Sequence, residues 1–180
     1  NDIAICTGNP GEPQVEGEGG EGYLYIFEGT GSSFSEAYQS SNINAALGIT
    51  IAELDGSTYP EIGLATGYLE VIDPTAGTSE LHGNVRVYGY SGSSYGSEWS
   101  SSDLDQIVGG IASGDLGGSN DYLVVGTSGD SRNDNQVAGE VIVYKRSGGT
   151  YTTDGSTIDS ERYRAYGLAV GDVDNDGETE

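Results

Sequence analysis

An acidic stretch at residues 171–180, GDVDNDGETE, has the composition and spacing of a cation-binding loop. Counted from Asp172, acidic residues occupy the first, third, fifth and ninth positions, and a glycine that permits a tight turn occupies the sixth. Calcium binds six to eight oxygen atoms at about 2.3–2.6 Å, so one short loop of this kind surrounds a single ion. Without a cation, the crowded carboxylates would repel one another. The sequence therefore predicts a Ca²⁺ site with these ligands: Asp172, Asp174, Asp176, Glu178 (through its carbonyl oxygen) and Glu180.

A second loop, at residues 53–61, repeats this arrangement with a less acidic ligand set. Its candidate ligands are Glu53, Asp55, Ser57, Tyr59 (through its carbonyl oxygen) and Glu61. A hydroxyl replaces one carboxylate, so both an occupied and an empty loop fit the sequence. A third loop, at residues 115–121, is two residues shorter and has glycine at its third position, which predicts a plain turn without an ion.

The string DVDNDG also matches the first half of an EF-hand or dockerin loop. Those loops need a bidentate glutamate at the twelfth position and a helix on each side. Here the preceding residues, GLAVG, resemble a strand, which favours a loop between β-strands.

The charge balance excludes several classes of function. The 180 residues contain 29 Asp and Glu against 6 Lys and Arg, a formal net charge of −23. Such a surface repels phosphate backbones, so we expect no nucleic-acid partner. No apolar run approaches the roughly 18 residues of a membrane-spanning helix, so we expect no membrane span. Adaptation to concentrated salt and partial neutralisation by calcium are both open as explanations of the acidity.

Residue types that occur only once argue against further kinds of catalytic and metal site. Cys6 and His82 are the only members of their types, which argues against a cysteine-based zinc site and a Ser-His-Asp triad. We expect His82 to lie in a loop. Trp99 and the 13 tyrosines either fill space between strands or form a platform on which a sugar stacks.

Three kinds of segment recur in the same order about every 60 residues. They are GYLYIFEGTGSSF (22–34), GNVRVYGYSGSSY (83–95) and GEVIVYKRSGGTY (139–151); GITIAE (48–53), GIASGD (110–115) and GLAVGD (167–172); and DIAICTG (2–8), EIGLATG (61–67) and DYLVVGT (121–127). The last set aligns the leading acids Asp2, Glu61 and Asp121.

The repeat predicts an all-β fold, a β-propeller segment of about three four-stranded blades. A β-sandwich or jelly roll with accidental similarity, and a solenoid, are the alternatives. Three blades do not close a ring, so we expect the segment to be part of a larger propeller or of an assembly. The expected units are 1–46 (a partial blade of three strands), 47–108 and 109–165 (complete blades), and 166–180 (the first strand and calcium loop of the next blade).

The pattern YGLAVGDVDNDG, with the DIAICTG-type and GEVIVY-type strands, resembles the FG-GAP repeats of the integrin α-subunit β-propeller. Tyr166-Gly167 stands where that family often has Phe-Gly, whereas Leu47-Gly48 and Gly109-Gly110 depart from it. The resemblance implies calcium between the first two strands of a blade, held here by Asp172, Asp174, Asp176 and Glu180.

From these features we expect a non-catalytic, extracellular or cell-surface module, stabilised by calcium, that serves adhesion or surface assembly. Its expected partner is a protein or polysaccharide at the cell surface. One alternative is a carbohydrate-binding or accessory propeller of a polysaccharide-degrading enzyme, which a Trp- and Tyr-lined cleft beside an acid pair would support. Another is a self-assembling filament subunit in which a strand of one copy completes a sheet of the next.

Overall fold

The computed structural model describes residues 2–9, 20–73, 75–117, 121–129, 138–159, 165–172 and 174. Those residues form eleven β-strands and no helix. The strands are β1 (Ile3–Asn9), β2 (Glu21–Gly29), β3 (Phe34–Gln39), β4 (Ala46–Ala52), β5 (Glu61–Asp73), β6 (Thr78–Tyr90), β7 (Tyr95–Ser100), β8 (Val108–Gly114), β9 (Tyr122–Thr127), β10 (Glu140–Ser147) and β11 (Thr150–Asp159). The all-β prediction is confirmed. Within these ranges no helix is long and apolar enough to cross a membrane.

The strands form three antiparallel sheets in which neighbours in sequence are neighbours in space. The first sheet has the order β1-β2-β3, the second β4-β5-β6-β7, and the third β8-β9-β10-β11. β4 and β8 begin at Ala46 and Val108, each one residue before the unit boundary expected from the repeat. A further strand was expected after residue 166, but residues 165–172 are not in a strand. The segment begins against the third sheet, where the Ala165 N–H donates to the Thr127 carbonyl at 3.1 Å.

The second sheet is buried on both faces because its side chains alternate between two hydrophobic clusters. Ile62, Leu64 and Tyr88 face the first sheet, where they meet Leu24 and Ile26. Side chains on the opposite face pack against the third sheet. These are Ala65, Val85 and Val87, which meet Leu123, Val125, Ile142 and Tyr144.

The strand register corrects one set of equivalent positions in the sequence repeat. Gly48 pairs with Ala65 in the second sheet, and Gly110 pairs with Gly126 in the third. The position of Glu61 therefore corresponds to Tyr122, and Asp121 lies one residue earlier. The alignment of Asp121 with Glu61 was wrong by one residue, because the connection in the third sheet is one residue shorter than that in the second sheet, not two.

A serine-Asx turn, which the repeat analysis missed, closes the first and second sheets. Ser40 Oγ accepts the Leu24 N–H at 2.9 Å, and Ser101 Oγ accepts the Val85 N–H at 3.0 Å. Two residues after each serine, Asn42 in the first sheet and Asp103 in the second make a further hydrogen bond of the same kind in both sheets. Each accepts the N–H of the glycine that opens the repeated strand segment, at 3.2 Å for Gly22 and 3.1 Å for Gly83. The signal was present in the sequence as SSNIN (40–44) and SSDLD (101–105).

Glycine is required at both positions because the backbone of a following turn passes directly over each of them. A Cβ at Gly22 would lie 1.8 Å from the Asn44 carbonyl oxygen, and one at Gly83 would lie 2.1 Å from the Gln106 carbonyl oxygen. Backbone atoms do not move aside as a flexible side chain does, so any larger residue would separate the turn from its sheet.

His82 lies in β6 rather than in a loop, because the hairpin of β5 and β6 extends past it. Its ring stacks on Tyr68 with centroids 5.0 Å apart. Nε2 lies 3.1 Å from Glu70 Oε2, and Nδ1 bonds Asp103. Burial opposes ionisation of Asp103, but hydrogen bonds from His82, Gly83 and Asp105 outweigh it and hold the pKa of that carboxyl below its ordinary value.

Replacing Asp103 separates its two roles. We expect Asp103→Ala to lower the free energy of unfolding by about 1–2 kcal/mol, because the Gly83 and Asp105 N–H groups lose their acceptor. Asp103→Asn keeps that acceptor, as Asn42 does in the first sheet, and should lose only the pairing with His82. Urea unfolding at neutral pH measures both. Equal losses for the two variants would contradict the turn role.

The same comparison has a defined pH dependence. A carboxyl whose folded-state pKa is lowered stabilises the fold above its ordinary value of 3.8 and loses that contribution as the pH falls through the folded value. The stability difference between wild type and Asp103→Asn should therefore shrink as the pH falls from about 5 through the lowered pKa of Asp103.

Candidate metal centre

The loop at residues 53–60 joins β4 to β5 and is folded by its own polar groups. The Ser57 N–H donates to Asp55 Oδ1 at 2.7 Å, and Gly56 between them has φ of +74°, which a residue with a Cβ adopts at a cost. The Ser57 hydroxyl donates to the Tyr59 carbonyl at 2.8 Å and also accepts the Tyr59 N–H at 3.2 Å. These bonds turn the loop back so that Glu61, the first residue of β5, faces its beginning.

Three carboxylates meet inside this loop. One ligand oxygen from each of Glu53, Asp55 and Glu61 lies within 4.8 Å of the others. Ser57 Oγ lies 3.3 Å from Glu61 Oε1 and so belongs to the same group. The structure thus brings together the side chains that the spacing of residues 53–61 predicted. Calcium binding itself stays a prediction.

Glu61 is the most constrained member, since only 1% of its surface is exposed. Burial raises the pKa of its carboxyl, and the nearby charges of Glu98 and Glu53 raise it further. The Leu54 N–H, which donates to Glu61 Oε2 at 2.8 Å, and the Ser57 hydroxyl act in the opposite direction. A buried carboxylate of this kind is costly unless a positive charge balances it.

The third sheet supplies one positive charge. The guanidinium of Arg146, in β10, contacts Asp55 and lies 4.0 Å from Glu98 Oε2. It also lies 5.9 Å from the centre of the Tyr151 ring, within the range of a cation–π interaction. Arg146 and Asp55 are both mostly buried, with 24% and 15% of their side chains exposed. Sequence reasoning missed Arg146, because nothing in its own segment indicates a partner 91 residues earlier.

Asp121 makes contacts between sheets that its place in the repeat did not indicate. Its Oδ2 accepts the Glu53 N–H at 3.3 Å, and its own N–H donates to the Glu53 carbonyl at 3.0 Å. These bonds tie the end of β4 to the third sheet. In the loop that precedes Asp121, Asp115 Oδ1 accepts the Gly117 N–H at 2.8 Å, which is the turn expected there as far as residue 117.

The loop at residues 172–180 is described only in part. Asp172 and Asp174 belong to the described residues, whereas Asp176, Glu178 and Glu180 lie outside them. The more acidic of the two predicted calcium sites therefore stays a prediction from sequence.

Comparison of the chain with protein-family models, with curated proteins and with solved structures finds no match to any of them. The resemblance to FG-GAP repeats is untested by these comparisons.

Replacing Glu61 by glutamine should change stability in opposite directions with and without calcium. In chelator, Glu61→Gln should raise the free energy of unfolding by about 1 kcal/mol, because it removes a buried charge and keeps an acceptor for the Leu54 N–H. In excess calcium, the wild type should be the more stable protein, because the variant lacks one ligand. Thermal melting in both buffers measures the crossover.

Glu36→Gln, an exposed change in β3, is the matched control and should shift neither melt. A variant less stable than wild type by the same amount in both buffers would contradict the metal role of Glu61.

Arg146→Gln should lower the free energy of unfolding by about 2 kcal/mol in chelator, because Asp55 loses its charged partner. In an Asp55→Asn background the same change should cost less, since the partner charge is already gone. Urea unfolding of the four proteins of this double-mutant cycle gives the coupling energy. Additive losses would show that Arg146 stabilises the fold through packing alone.

Proposed function

We propose that the chain is a calcium-stabilised, extracellular or cell-surface β-propeller module that serves adhesion or surface assembly without catalysis. The observation that carries this proposal is the convergence of Glu53, Asp55 and Glu61 within 4.8 Å at the turn between β4 and β5. Carboxylate, hydroxyl and carbonyl oxygens are the ligands that calcium takes, and the loop offers all three. Extracellular modules bind calcium with dissociation constants of about 10⁻⁴–10⁻³ M, which suits a site of mixed charge.

The sheet arrangement supports the propeller part of the proposal. Each sheet is formed by consecutive strands, and the second sheet packs on the first as the third packs on the second. Ile62 and Leu64 of β5 face the preceding sheet, and Leu123 and Val125, in the same positions of β9, do likewise. A constant packing relation between successive sheets is what a propeller requires of its blades.

The first sheet supports the assembly part. Ile3 and Ile5 of β1 are 40% and 44% exposed, although Ile62 and Leu64, which hold the same places in the second sheet, are buried. Tyr25 and Phe27 of the neighbouring strand stack with ring centroids 6.4 Å apart. An apolar face of this kind suits contact with another β-sheet.

Two features favour a binding role over catalysis. The carboxylates that converge are held by a backbone N–H, a serine and an arginine, an arrangement that suits ion binding. Among the described residues that line the groove containing Trp99, Glu140 is the one carboxylate, whereas glycoside hydrolysis uses two.

Removal of calcium tests the proposal. We expect the melting temperature to fall when millimolar calcium is replaced by chelator at constant salt, because an ion at a hundred times its dissociation constant stabilises the folded state by about 2.7 kcal/mol. Asp55→Asn and Asp174→Asn should each remove part of the shift, which separates the two loops. Asp115→Asn, in the loop expected to bind no ion, is the control.

An unchanged melt in calcium and chelator would contradict the calcium role of both loops. Sedimentation velocity in the same buffers tests assembly separately, because a protein that binds calcium and remains a monomer at every concentration would fail that part alone.

A further inference from the structure

A groove runs between the second and third sheets, along β7, β10 and β11, and is separate from the carboxylate loop. Its volume is about 600 Å³, within the range of pockets that hold small ligands. Three aromatic residues form its apolar wall. The Trp99 ring lies 5.4 Å from that of Tyr144 and 5.0 Å from that of Tyr151, between centroids. Trp99 is half-buried, so part of its ring faces the groove.

The rim of the groove is polar. Ser102, Thr152 and Thr153 are exposed, and their hydroxyl groups make no hydrogen bond to the residues that the structure describes. Glu140 lines the same groove and is half-buried. Donors, acceptors and one carboxylate thus surround an aromatic wall.

Tyr151 adds an orphaned polar atom. The residue is 6% exposed, and its phenol oxygen is buried without a hydrogen-bond partner in the described part of the chain. Burial, with the charges of Glu61 and Glu98, raises the pKa of Tyr151, so the phenol keeps its proton at neutral pH. This oxygen has almost no accessible surface, so Tyr151 contributes its ring, and not its hydroxyl group, to the wall of the groove.

We propose that this groove binds a neutral oligosaccharide. Sugar rings present C–H faces that pack on aromatic rings and a rim of hydroxyl groups that pair with serine, threonine and carboxylate oxygens. The groove between the two sheets offers both surfaces in one place. A purely apolar ligand would leave the rim hydroxyl groups and Glu140 without partners, at a cost in desolvation.

The charge of the protein selects against acidic sugars. The net charge is −23, and Glu140 places a carboxylate in the groove itself. A uronic acid or sulfated sugar would be repelled both at a distance and at contact. The inference goes beyond the proposed function, because none of the groove residues named here belongs to the calcium loops.

Trp99 makes the test direct, because it is the single tryptophan of the chain. Its fluorescence is titrated with cellotriose, maltotriose, xylotriose and N-acetylchitotriose, and with trigalacturonate as the acidic counterpart, in calcium at constant salt. We expect at least one neutral trisaccharide to give a saturable change in emission and trigalacturonate to give none.

Variants locate the binding. Thr153→Val removes an exposed hydroxyl without changing the shape of the side chain, and Glu140→Gln removes the carboxylate charge. Each should weaken binding of the responding sugar by about threefold to tenfold, as measured by calorimetry. Thr78→Val, an exposed threonine at the start of β6, is the matched control and should leave the affinity unchanged. These changes spare Trp99, Tyr144 and Tyr151, whose replacement would also disturb the core.

Three results would overturn the inference. One is the absence of a saturable response to every neutral trisaccharide. Another is tighter binding of trigalacturonate than of any neutral sugar. The third is binding that Thr153→Val and Glu140→Gln leave unchanged, which would place the sugar elsewhere. The chelator experiment is separate from the sugar titration. If calcium does not change the melting temperature but a sugar binds in this groove, the proposed function is contradicted and this inference is not.

Discussion

Burial of the Glu61 carboxylate is the constraint around which the centre of the molecule is arranged. The side chain is 1% exposed at the start of β5, where a charged group is stable only with several polar partners. The Leu54 N–H and the Ser57 hydroxyl supply two of them, and these bonds fix the path of the loop from β4. Asp55, held in the same loop, then pairs with Arg146 of the third sheet. One buried charge thus links local turn geometry to the packing of two sheets.

The close contact between sheets depends on small residues as well as on this charge. Thr50 Oγ1 lies 2.6 Å from Ser113 Oγ across the junction of β4 and β8, and a Cβ on Gly63 would lie 2.9 Å from Leu123. Small side chains let the first strands of neighbouring sheets approach closely. The wider spaces farther out are filled by aromatic residues, as Trp99, Tyr144 and Tyr151 show. The groove lies where these three aromatic residues border the surface between the two sheets.

Sequence periodicity was sufficient to predict the all-β fold and the strands of the three sheets, because alternation and spacing are properties of single segments, but the strand expected after residue 166 is absent from residues 165–172. It identified Glu53, Asp55 and Glu61 as one group, since all three lie in one short loop. It did not identify Arg146 or the Asp121 contact to Glu53, because a pairing between sheets leaves no mark in either segment. His82 was misplaced for a related reason: the glycine at 83 indicates a turn, but its cause is the close crossing of residue 106.

The charge balance of the loop argues for a divalent cation. Glu53, Asp55 and Glu61 together carry three negative charges when ionised, and Arg146 balances one of them. Glu98, 4.0 Å from the same guanidinium, adds a further negative charge, so negative charge remains in excess here. A second arginine would place a bulky guanidinium where Glu61 is almost fully buried, whereas a bare ion needs only the space between oxygens that already lie within 4.8 Å. In the proposed calcium site, Arg146 lowers the negative charge that the ion would balance, and the third sheet takes part through this contact.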